Sequence, residues 1–218
     1  MSGIVAVVPI RSFRDGKTRL ASAIELADRE RIVRSMFGAV IAAAEESGAV
    51  ERIVVVTPDE AIERAALARG VEAVRQPADR PGLNASLDIG REYARSIGAD
   101  GMVILFGDLP LLEAEDVRSL VGRDAQVVIA TDRHGSGTNA LVLRFGGPDF
   151  EFQFGLDSRQ KHFDEAERLG VEAVTFVSVG TAFDLDTIDD LEKLTLDGRE
   201  LPEWFKLAIT GGLEEKSA

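Results

Sequence analysis

Met102-Val103-Ile104-Leu105-Phe106, followed directly by Gly107-Asp108-Leu109-Pro110, is the stretch that decides the fold. Five consecutive apolar residues ending in a turn are typical of a strand buried on both faces, as in a parallel sheet. Ligands of such sheets bind just outside the carboxyl ends of the strands, and Asp108 occupies that position. An isolated acidic residue there is, however, more often a turn former or a helix cap than a metal ligand. The role of Asp108 therefore depends on which other residues meet it.

Apolar runs alternate with segments of helical periodicity along the whole chain. The predicted strands are 4–8, 53–56, 71–74, 102–106, 127–130, 138–143 and 171–177, and the predicted helices are 28–47, 58–69, 84–97, 113–121, 158–169 and 187–194. This alternation predicts an α/β fold of three layers (α/β/α), with a mixed, mostly parallel central sheet and a hairpin in its middle. No linker or shift in composition divides the chain, so we expect a single domain over 1–210 and a frayed tail over 211–218.

The composition excludes several classes of function. With a net charge of −13, the 218-residue chain lacks the basic surface that nucleic-acid binding requires. No apolar run has the length of a membrane span, and the first residues lack the pattern of a secretory signal. The absence of cysteine excludes disulfides and thiolate metal sites, and we expect a cytoplasmic protein.

A cluster of positive charge follows the first predicted strand. Arg11, Arg14, Lys17 and Arg19 lie within nine residues of an otherwise acidic protein. Gly16-Lys17-Thr18 matches the last three positions of a P-loop, but Arg11 stands where that motif needs a glycine, so there is no Walker A motif. Arginine and lysine side chains can still bind phosphates from such a loop, and a solvated surface loop is an equal alternative.

Asp184-Leu185-Asp186 places two further carboxylates just before a predicted helix. Carboxylate pairs of this kind bind divalent cations. Taken alone, however, the motif favours a helix cap formed by Asp186 or Thr187.

Two other segments are rich in groups that bind anions. In 131–139, glycines beside Thr138 and Asn139 allow close approach to backbone N–H groups, although a hairpin turn explains the same composition. Gly155 and Ser158 open a helix whose free N–H groups suit an anion. An ordinary N-cap formed by Asp157 or Ser158 explains the same residues equally well. His162, one turn further on, is expected near that anion or on the surface.

Taken in order, these segments resemble a known family along nearly the whole chain. The matching stretches are Val8-Pro9-Ile10 through Lys17-Thr18-Arg19-Leu20, Gly82-Leu83-Asn84, Asp108-Leu109-Pro110, Gly137-Thr138-Asn139-Ala140-Leu141, Phe154-Gly155 with Ser158 and His162, and Ala182-Phe183-Asp184-Leu185-Asp186 with Asp190-Leu191. The family is that of the 2-phospholactate/phosphoenolpyruvate guanylyltransferases of coenzyme F-420 biosynthesis, related to the molybdenum-cofactor guanylyltransferases. Each motif is weak alone, and their order and spacing make the resemblance specific.

The resemblance implies a role for each motif. It implies the Rossmann-type fold of nucleotidyltransferases and nucleotide-diphospho-sugar transferases. It also implies attack on GTP by phosphoenolpyruvate or 2-phospho-L-lactate, with release of pyrophosphate. The implied Mg²⁺ ligands are Asp108, Asp184 and Asp186. The implied contacts of the phosphorylated acid are Thr138, Asn139, Gly155 and Ser158, and those of the nucleotide are Pro9, Arg11, Lys17, Leu83 and Asn84.

One departure from the family concerns the acid-binding loop. The family commonly has Pro-Gly between Gly155 and Ser158, where this chain has Leu156-Asp157. Asp157 adds a carboxylate beside the expected phosphoacid pocket, which bears on the choice of acid.

The chemistry of this reaction agrees with the residues present. A phosphate monoester has its second pKa near about 6, so at pH 7 the attacking group is mostly a dianion and needs no general base. The chain accordingly has no Cys–His pair and no nucleophile elbow, and it also lacks a G-x-G-x-x-G motif. The catalytic group predicted for charge stabilisation at the α-phosphate is Lys17, Arg19 and Asp108 with its Mg²⁺.

Two other functions stay open at this point. Asp184-Leu185-Asp186 is also a D-x-D pattern, which favours a transferase that uses a sugar nucleotide. A catalytically silent nucleotide-binding domain is the third possibility, but it has no need of Lys17, Asp108 and both later carboxylates. The 131–145 hairpin is a candidate contact for a homodimer.

Overall fold

A mixed sheet of seven strands forms the centre of the part of the chain that the structure describes. The structure is a computed structural model, and it describes residues 3–14, 16–21, 24–196, 202–203 and 205–206. The strands are β1 (Ile4–Pro9), β2 (Arg52–Thr57), β3 (Glu72–Arg75), β4 (Gly101–Leu105), β5 (Val127–Thr131), β6 (Thr138–Arg144) and β7 (Ala173–Phe176). The predicted tail, 211–218, lies outside the described residues, and the single domain over 1–210 stays a prediction.

Helices connect most of these strands. They are α1 (Leu26–Ser47), α2 (Glu60–Ala68), α3 (Leu83–Ser96), α4 (Ala114–Val121), α5 (Ser158–Leu169), α6 (Val179–Ala182) and α7 (Ile188–Leu196), with a short 3-10 turn at Thr18–Leu20. Of the helices in the described residues, none is long and apolar enough to cross a membrane.

The sheet has the order β3-β2-β1-β4-β6-β5-β7, and β6 is antiparallel to both of its neighbours while the other pairs are parallel. The carboxyl ends of β1 and β4 and the amino end of β6 therefore share one edge, which places Thr138 near Asp108. The predicted α/β fold with a mixed, mostly parallel sheet and a central hairpin is confirmed. Because β6 is paired on both sides, its backbone is not available for a partner strand, and the homodimer stays a prediction.

Two apolar clusters hold helices against the two faces of the sheet. On one face Ile41 of α1, Ile62 of α2 and Leu120 of α4 pack against the strands. On the other face Leu87 of α3 and Ala166 of α5 do so. The strands read as continuous apolar runs because both faces are covered.

The structure corrects several predicted boundaries. The second helix begins at Glu60, after Asp59, whose side chain accepts from the Ala61 N–H, so Pro58 lies outside it. The third begins at Leu83 with Gly82 as N-cap at φ 96°, so Asn84 is inside the helix and does not cap it. Strand β7 is shorter than the predicted 171–177, and the four-residue α6 has no periodicity by which the sequence could predict it.

Candidate active site

Lys17 joins the basic first loop to the acidic residues at the sheet edge. Its Nζ lies 2.6 Å from Asp108 Oδ2 and 2.5 Å from Asp186 Oδ1, and its side chain is only 9% exposed. Its backbone is left-handed, at φ 54° and ψ 43°, and its side chain reaches Asp108, three residues beyond the end of β4. Burial opposes the charge of the ammonium, but the two carboxylates outweigh it and raise the pKa of Lys17.

Asp184 is the third carboxylate of this group. Its Oδ1 accepts from Asn139 Nδ2 at 3.4 Å, and the same nitrogen donates to the carbonyl of Ala182 at 3.4 Å. Burial, followed by the negative charges of Asp108 and Asp186, raises the pKa of Asp184. The electrostatic field at this edge of the sheet therefore favours an additional cation.

Asp190 and Arg133 hold the Asp184–Asp186 segment in place. The Asp190 carboxylate is almost fully buried and accepts from the N–H of Asp186 at 3.0 Å and of Thr187 at 2.7 Å. Arg133 pairs with Asp190 and donates to the Asp184 carbonyl at 3.2 Å. Of the two predicted capping residues it is Thr187 that caps α7, because its Oγ1 accepts from the Asp190 N–H at 3.4 Å, and the Asp186 carboxylate is instead paired with Lys17.

The backbone of the same segment is tied directly to the end of β4. Leu185 is fully buried, and its N–H donates to the Asp108 carbonyl at 3.1 Å. Two distant parts of the chain are thereby held at a fixed separation. In the sequence Asp190 stands out only as part of the Asp190-Leu191 stretch of the family resemblance, and Arg133 has no predicted role, since no local pattern marks this long-range pair.

Thr138 lies in a buried hydrogen-bonded chain with His162. Thr138 Oγ1 is 3.1 Å from His162 Nδ1, and His162 Nε2 accepts from the Gln153 N–H at 3.1 Å. His162 is 0% exposed, so the alternative that it lies on the surface is wrong. A position near the bound anion stays a prediction. Burial is the main cause that lowers its pKa to about 4; Glu165 raises this pKa and Lys161 lowers it, both by smaller amounts.

The loop before α5 carries the remaining residues predicted to bind the acid. Ser158 is buried at the first position of the helix, while Gly155 is exposed at φ 128°. Asp157 is the N-cap residue, but its backbone is left-handed (φ 55°) and its side chain makes no capping bond. The N-cap alternative therefore does not apply to the Asp157 carboxylate, which is left beside the helix start.

Asn84 connects this loop to α3. Its Oδ1 accepts from the Phe154 N–H at 3.0 Å, and its Nδ2 donates to the Phe154 carbonyl at 3.4 Å. The side-chain amide thus pairs with one residue as a neighbouring strand would. A contact of Asn84 with the nucleotide stays a prediction.

Two adjoining cavities open at this edge of the sheet. The first, about 360 Å³, is lined by residues that include Arg11, Lys17, Asp108 and Asp186. The second, about 470 Å³, is lined by residues that include Gln76, Pro77 and Leu83. Pro9, Ile10 and Arg11 line both cavities, so the two lie next to each other at the end of β1.

Arg19 is the predicted catalytic residue that the structure does not bring to these cavities. It lies exposed on the 3-10 turn and lines neither of them. Its catalytic role stays a prediction, whereas Lys17, two residues earlier, lies in the first cavity wall.

The carboxylate group suits a hard cation by its chemistry. Its donors are oxygens only, which Mg²⁺ prefers, and the pKa of Asp184 is raised first by burial and then by the negative charges of Asp108 and Asp186. Among the described residues, however, no three His, Cys, Asp or Glu side chains are gathered closely enough to hold a metal ion as they stand. Lys17 occupies the space between two of the carboxylates.

Comparison with known sequences finds one family along most of the chain. The model of the family described as guanylyl transferase CofC like matches residues 4–206. A phosphoenolpyruvate guanylyltransferase of Sphaerobacter thermophilus is 36% identical over 193 residues, which cover 87% of this chain and 91% of that protein. A 3-phospho-D-glycerate guanylyltransferase of Phenylobacterium zucineum is 36% identical over 192 residues, 85% of this chain and 86% of that one.

Solved structures of lower sequence identity share the fold. A putative nucleotide-diphospho-sugar transferase of Desulfovibrio desulfuricans G20 superimposes with a TM-score of 0.76 at 16% identity, covering 99% of this chain and 98% of that one. A Mycobacterium tuberculosis H37Rv protein in complex with manganese has a TM-score of 0.57 at 20% identity, covering 88% and 97% of the two chains.

Proposed function

This chain belongs to the CofC-like guanylyl transferase family, and from that premise we propose that it transfers GMP from GTP to a phosphorylated three-carbon acid and releases pyrophosphate. The proposed acid is phosphoenolpyruvate or 2-phospho-L-lactate, and the proposed setting is coenzyme F-420 biosynthesis. A relative that acts on 3-phospho-D-glycerate makes that acid the competitor to test. The observation that carries the proposal is the ion-paired group of Lys17, Asp108 and Asp186 in the wall of the first cavity.

The two adjoining cavities support one orientation of the nucleotide. The phosphates would lie in the first cavity, where Arg11 and Lys17 supply positive charge. The base would lie in the second, beside Leu83. Gln76 stiffens that wall, because its Nε2 donates to the carbonyls of Arg80 at 2.7 Å and Gly82 at 2.8 Å.

Lys17 would act by charge and not by proton transfer. Its raised pKa keeps the ammonium protonated throughout the neutral range. The attacking phosphate is already a dianion at pH 7, so the difficulty of the reaction is to bring two anions together and to stabilise charge at the α-phosphate. The ammonium of Lys17, in the wall of the first cavity, would supply part of that stabilisation.

We propose that Mg²⁺ is the cofactor and that Asp108, Asp184 and Asp186 hold it. When bound, the ion would polarise the phosphate oxygens of GTP and neutralise part of their charge. The support from this chain is the oxygen-only donor set and the raised pKa of Asp184. Asn139, which donates to Asp184, would orient that carboxylate and stay in place when the acid binds.

The acid would bind where β6 begins and α5 begins. Thr138 and Ser158 offer buried hydroxyls there, and the glycine at 155 leaves room for a close approach to the backbone. The start of α5 would contribute its dipole there, although the Ser158 N–H donates to the Gly155 carbonyl at 3.2 Å and the Arg159 N–H to the Ser136 carbonyl at 3.1 Å, so these two groups are not free as the sequence predicts. Bound there, the acid would lie next to Asn139, which donates to Asp184 of the carboxylate group.

Pyrophosphate release tests the proposal directly. Purified protein is incubated with Mg²⁺ and GTP or ATP, together with phosphoenolpyruvate, 2-phospho-L-lactate or 3-phospho-D-glycerate, and the product is identified by mass spectrometry. We expect a guanylylated phosphoacid with one of the first two acids. Absence of pyrophosphate release with all three acids would refute the proposal, and transfer from a sugar nucleotide would replace it by the D-x-D alternative.

A pair of variants connects the activity to the site. Asp108→Asn keeps the shape of the side chain and removes its charge, and we expect turnover to fall by about 10²-fold or more. Asp149→Asn is the control, because Asp149 is an exposed residue paired with Arg95 away from the cavities. Undiminished turnover in Asp108→Asn would remove Asp108 from the catalytic group.

A further inference from the structure

We propose that His162 is a positioning residue, which orients the Thr138 hydroxyl so that its proton points at an anionic oxygen of the phosphorylated acid. This inference rests on the proposed function, in which Thr138 contacts the acid. It concerns a residue that touches neither the cavities nor the carboxylate group. Its basis is the hydrogen-bonded chain from Gln153 through His162 to Thr138.

The backbone determines which nitrogen of His162 carries the proton. Nε2 accepts from the Gln153 N–H at 3.1 Å, so in the neutral ring Nε2 is bare and the proton is on Nδ1. Nδ1 must then donate to Thr138 Oγ1, which lies 3.1 Å away. A hydroxyl that accepts from this side directs its own proton elsewhere, and Thr138 is thereby made a donor toward the site.

Packing keeps the imidazole in this orientation. The ring is fully buried, with the Phe154 ring 4.6 Å away at 67° and the Phe150 ring 5.8 Å away at 38°. Burial also keeps it neutral, because its pKa is lowered to about 4. The charged neighbours that bear on it are Glu165 and Lys161 of its own helix. A neutral ring cannot rotate to exchange its two nitrogens without leaving the Gln153 N–H unpaired in the interior.

The consequence is a preference built into the acid subsite. A threonine hydroxyl usually rotates to suit its partner, either as donor or as acceptor. Here the bond from His162 occupies one lone pair and directs the hydroxyl proton toward the site, where a phosphate or carboxylate oxygen is the strongest acceptor available. Because the same imidazole also anchors Gln153, it fixes the segment leading to Gly155. One buried side chain thus connects both halves of the acid subsite.

Two substitutions separate the two hydrogen bonds of His162. His162→Asn places an amide N–H near the position of Nδ1, so the donor to Thr138 is kept and the acceptor for Gln153 is lost. His162→Gln reaches the position of Nε2, so the acceptor is kept and the donor is lost. We expect the KM for the phosphoacid to rise about five- to tenfold in His162→Gln, as one lost hydrogen bond implies, and less in His162→Asn. The KM for GTP should change by less than about twofold in both.

A double-mutant cycle tests whether His162 changes the KM for the acid through Thr138. Thr138→Val removes the hydroxyl, and in that background His162→Gln should add no further rise in the KM for the acid. Glu165→Ala is the matched control. It lies on the same helix and accepts from the Glu151 N–H at 2.9 Å, so its loss should lower the melting temperature and leave the acid KM within about twofold.

Three results would overturn the inference. A larger rise in acid KM for His162→Asn than for His162→Gln, or additive effects in the cycle, would make His162 a purely structural residue. A proton on Nε2 in the ¹⁵N NMR spectrum of the wild-type protein would do the same, and this measurement needs no activity. If the wild-type protein has the predicted Nδ1 proton but transfers GMP to none of the acids, the proposed function fails and the orientation of Thr138 stands.

Discussion

Replacing Lys17 by methionine removes the ammonium from between two carboxylates while keeping a side chain of similar length. Lys17 is 9% exposed, and its partners Asp108 and Asp186 are 31% and 44% exposed. Breaking a fully buried ion pair costs about 3–5 kcal/mol and an exposed one about 0–1 kcal/mol, so the partial exposure of the acids places the loss at about 2–3 kcal/mol. For a chain of this size the melting temperature should fall by about 4–12 °C.

Calorimetry with and without Mg²⁺ measures this loss and tests the metal proposal at the same time. Without the ammonium, the carboxylates of Asp108, Asp184 and Asp186 repel one another unscreened, so Mg²⁺ should raise the melting temperature of the variant more than that of the wild type. Arg95→Met is the control, because its ion pair with Asp149 is exposed and its loss should leave the melting temperature nearly unchanged. An unchanged melting temperature in Lys17→Met, or an equal Mg²⁺ response in both proteins, would refute the reasoning.

Three further predictions concern the residues around the site. Asp190→Ala leaves Arg133 and the Asp186 N–H without their buried partner. We expect the free energy of unfolding in denaturant to fall by about 3–5 kcal/mol and turnover to be reduced. A stable and fully active variant would contradict this. Asp157→Gly relieves a left-handed backbone at φ 55°, so we expect the free energy of unfolding to rise by about 0.5 kcal/mol. The same substitution removes a negative charge, so the KM for the acid should fall at low salt, and this difference in KM should shrink as salt is added. His162 has a pKa of about 4 in the folded protein against an ordinary 6.5, so its contribution to stability is complete above pH 6.5 and is lost as the pH falls toward 4, by about 3 kcal/mol. His162→Gln should remove that part of the pH dependence in unfolding experiments, and an unchanged slope would show that another group causes it.

The outline of the fold and the family were predictable from local patterns. Parallel strands covered on both faces must be apolar throughout, so Ile4–Pro9 and Gly101–Leu105 are recognisable as continuous apolar runs. The helix Ser158–Leu169 has the predicted bounds, and Gly48 ends the first helix in the left-handed conformation that glycine favours. The family resemblance is confirmed, because it rested on the order of several motifs and not on any one of them.

The errors of prediction occur where tertiary contacts override local signals. Asn84 looks like a helix cap in the sequence, but Gly82 takes that place and the Asn84 amide pairs with Phe154, seventy positions away along the chain. His162 follows a polar helix pattern, yet the rings of Phe150 and Phe154 enclose it. Neither partner is visible from the neighbouring residues of the sequence.

What the sequence by itself determined is the set of chemical groups and the edge of the sheet to which they belong. An acid after a buried parallel strand, a basic loop after another and an Asp-Leu-Asp motif before a helix all follow from periodicity and from the rule for ligand sites in α/β sheets. Only the tertiary structure decided which of them meet. It selected Lys17 and not Arg19 as the counter-charge of Asp108, and it buried His162 against Thr138. The physical reason is that ion pairs and buried hydrogen bonds depend on distances of a few ångströms between residues far apart in the chain, and those distances are set by the packing of the whole sheet and its helices.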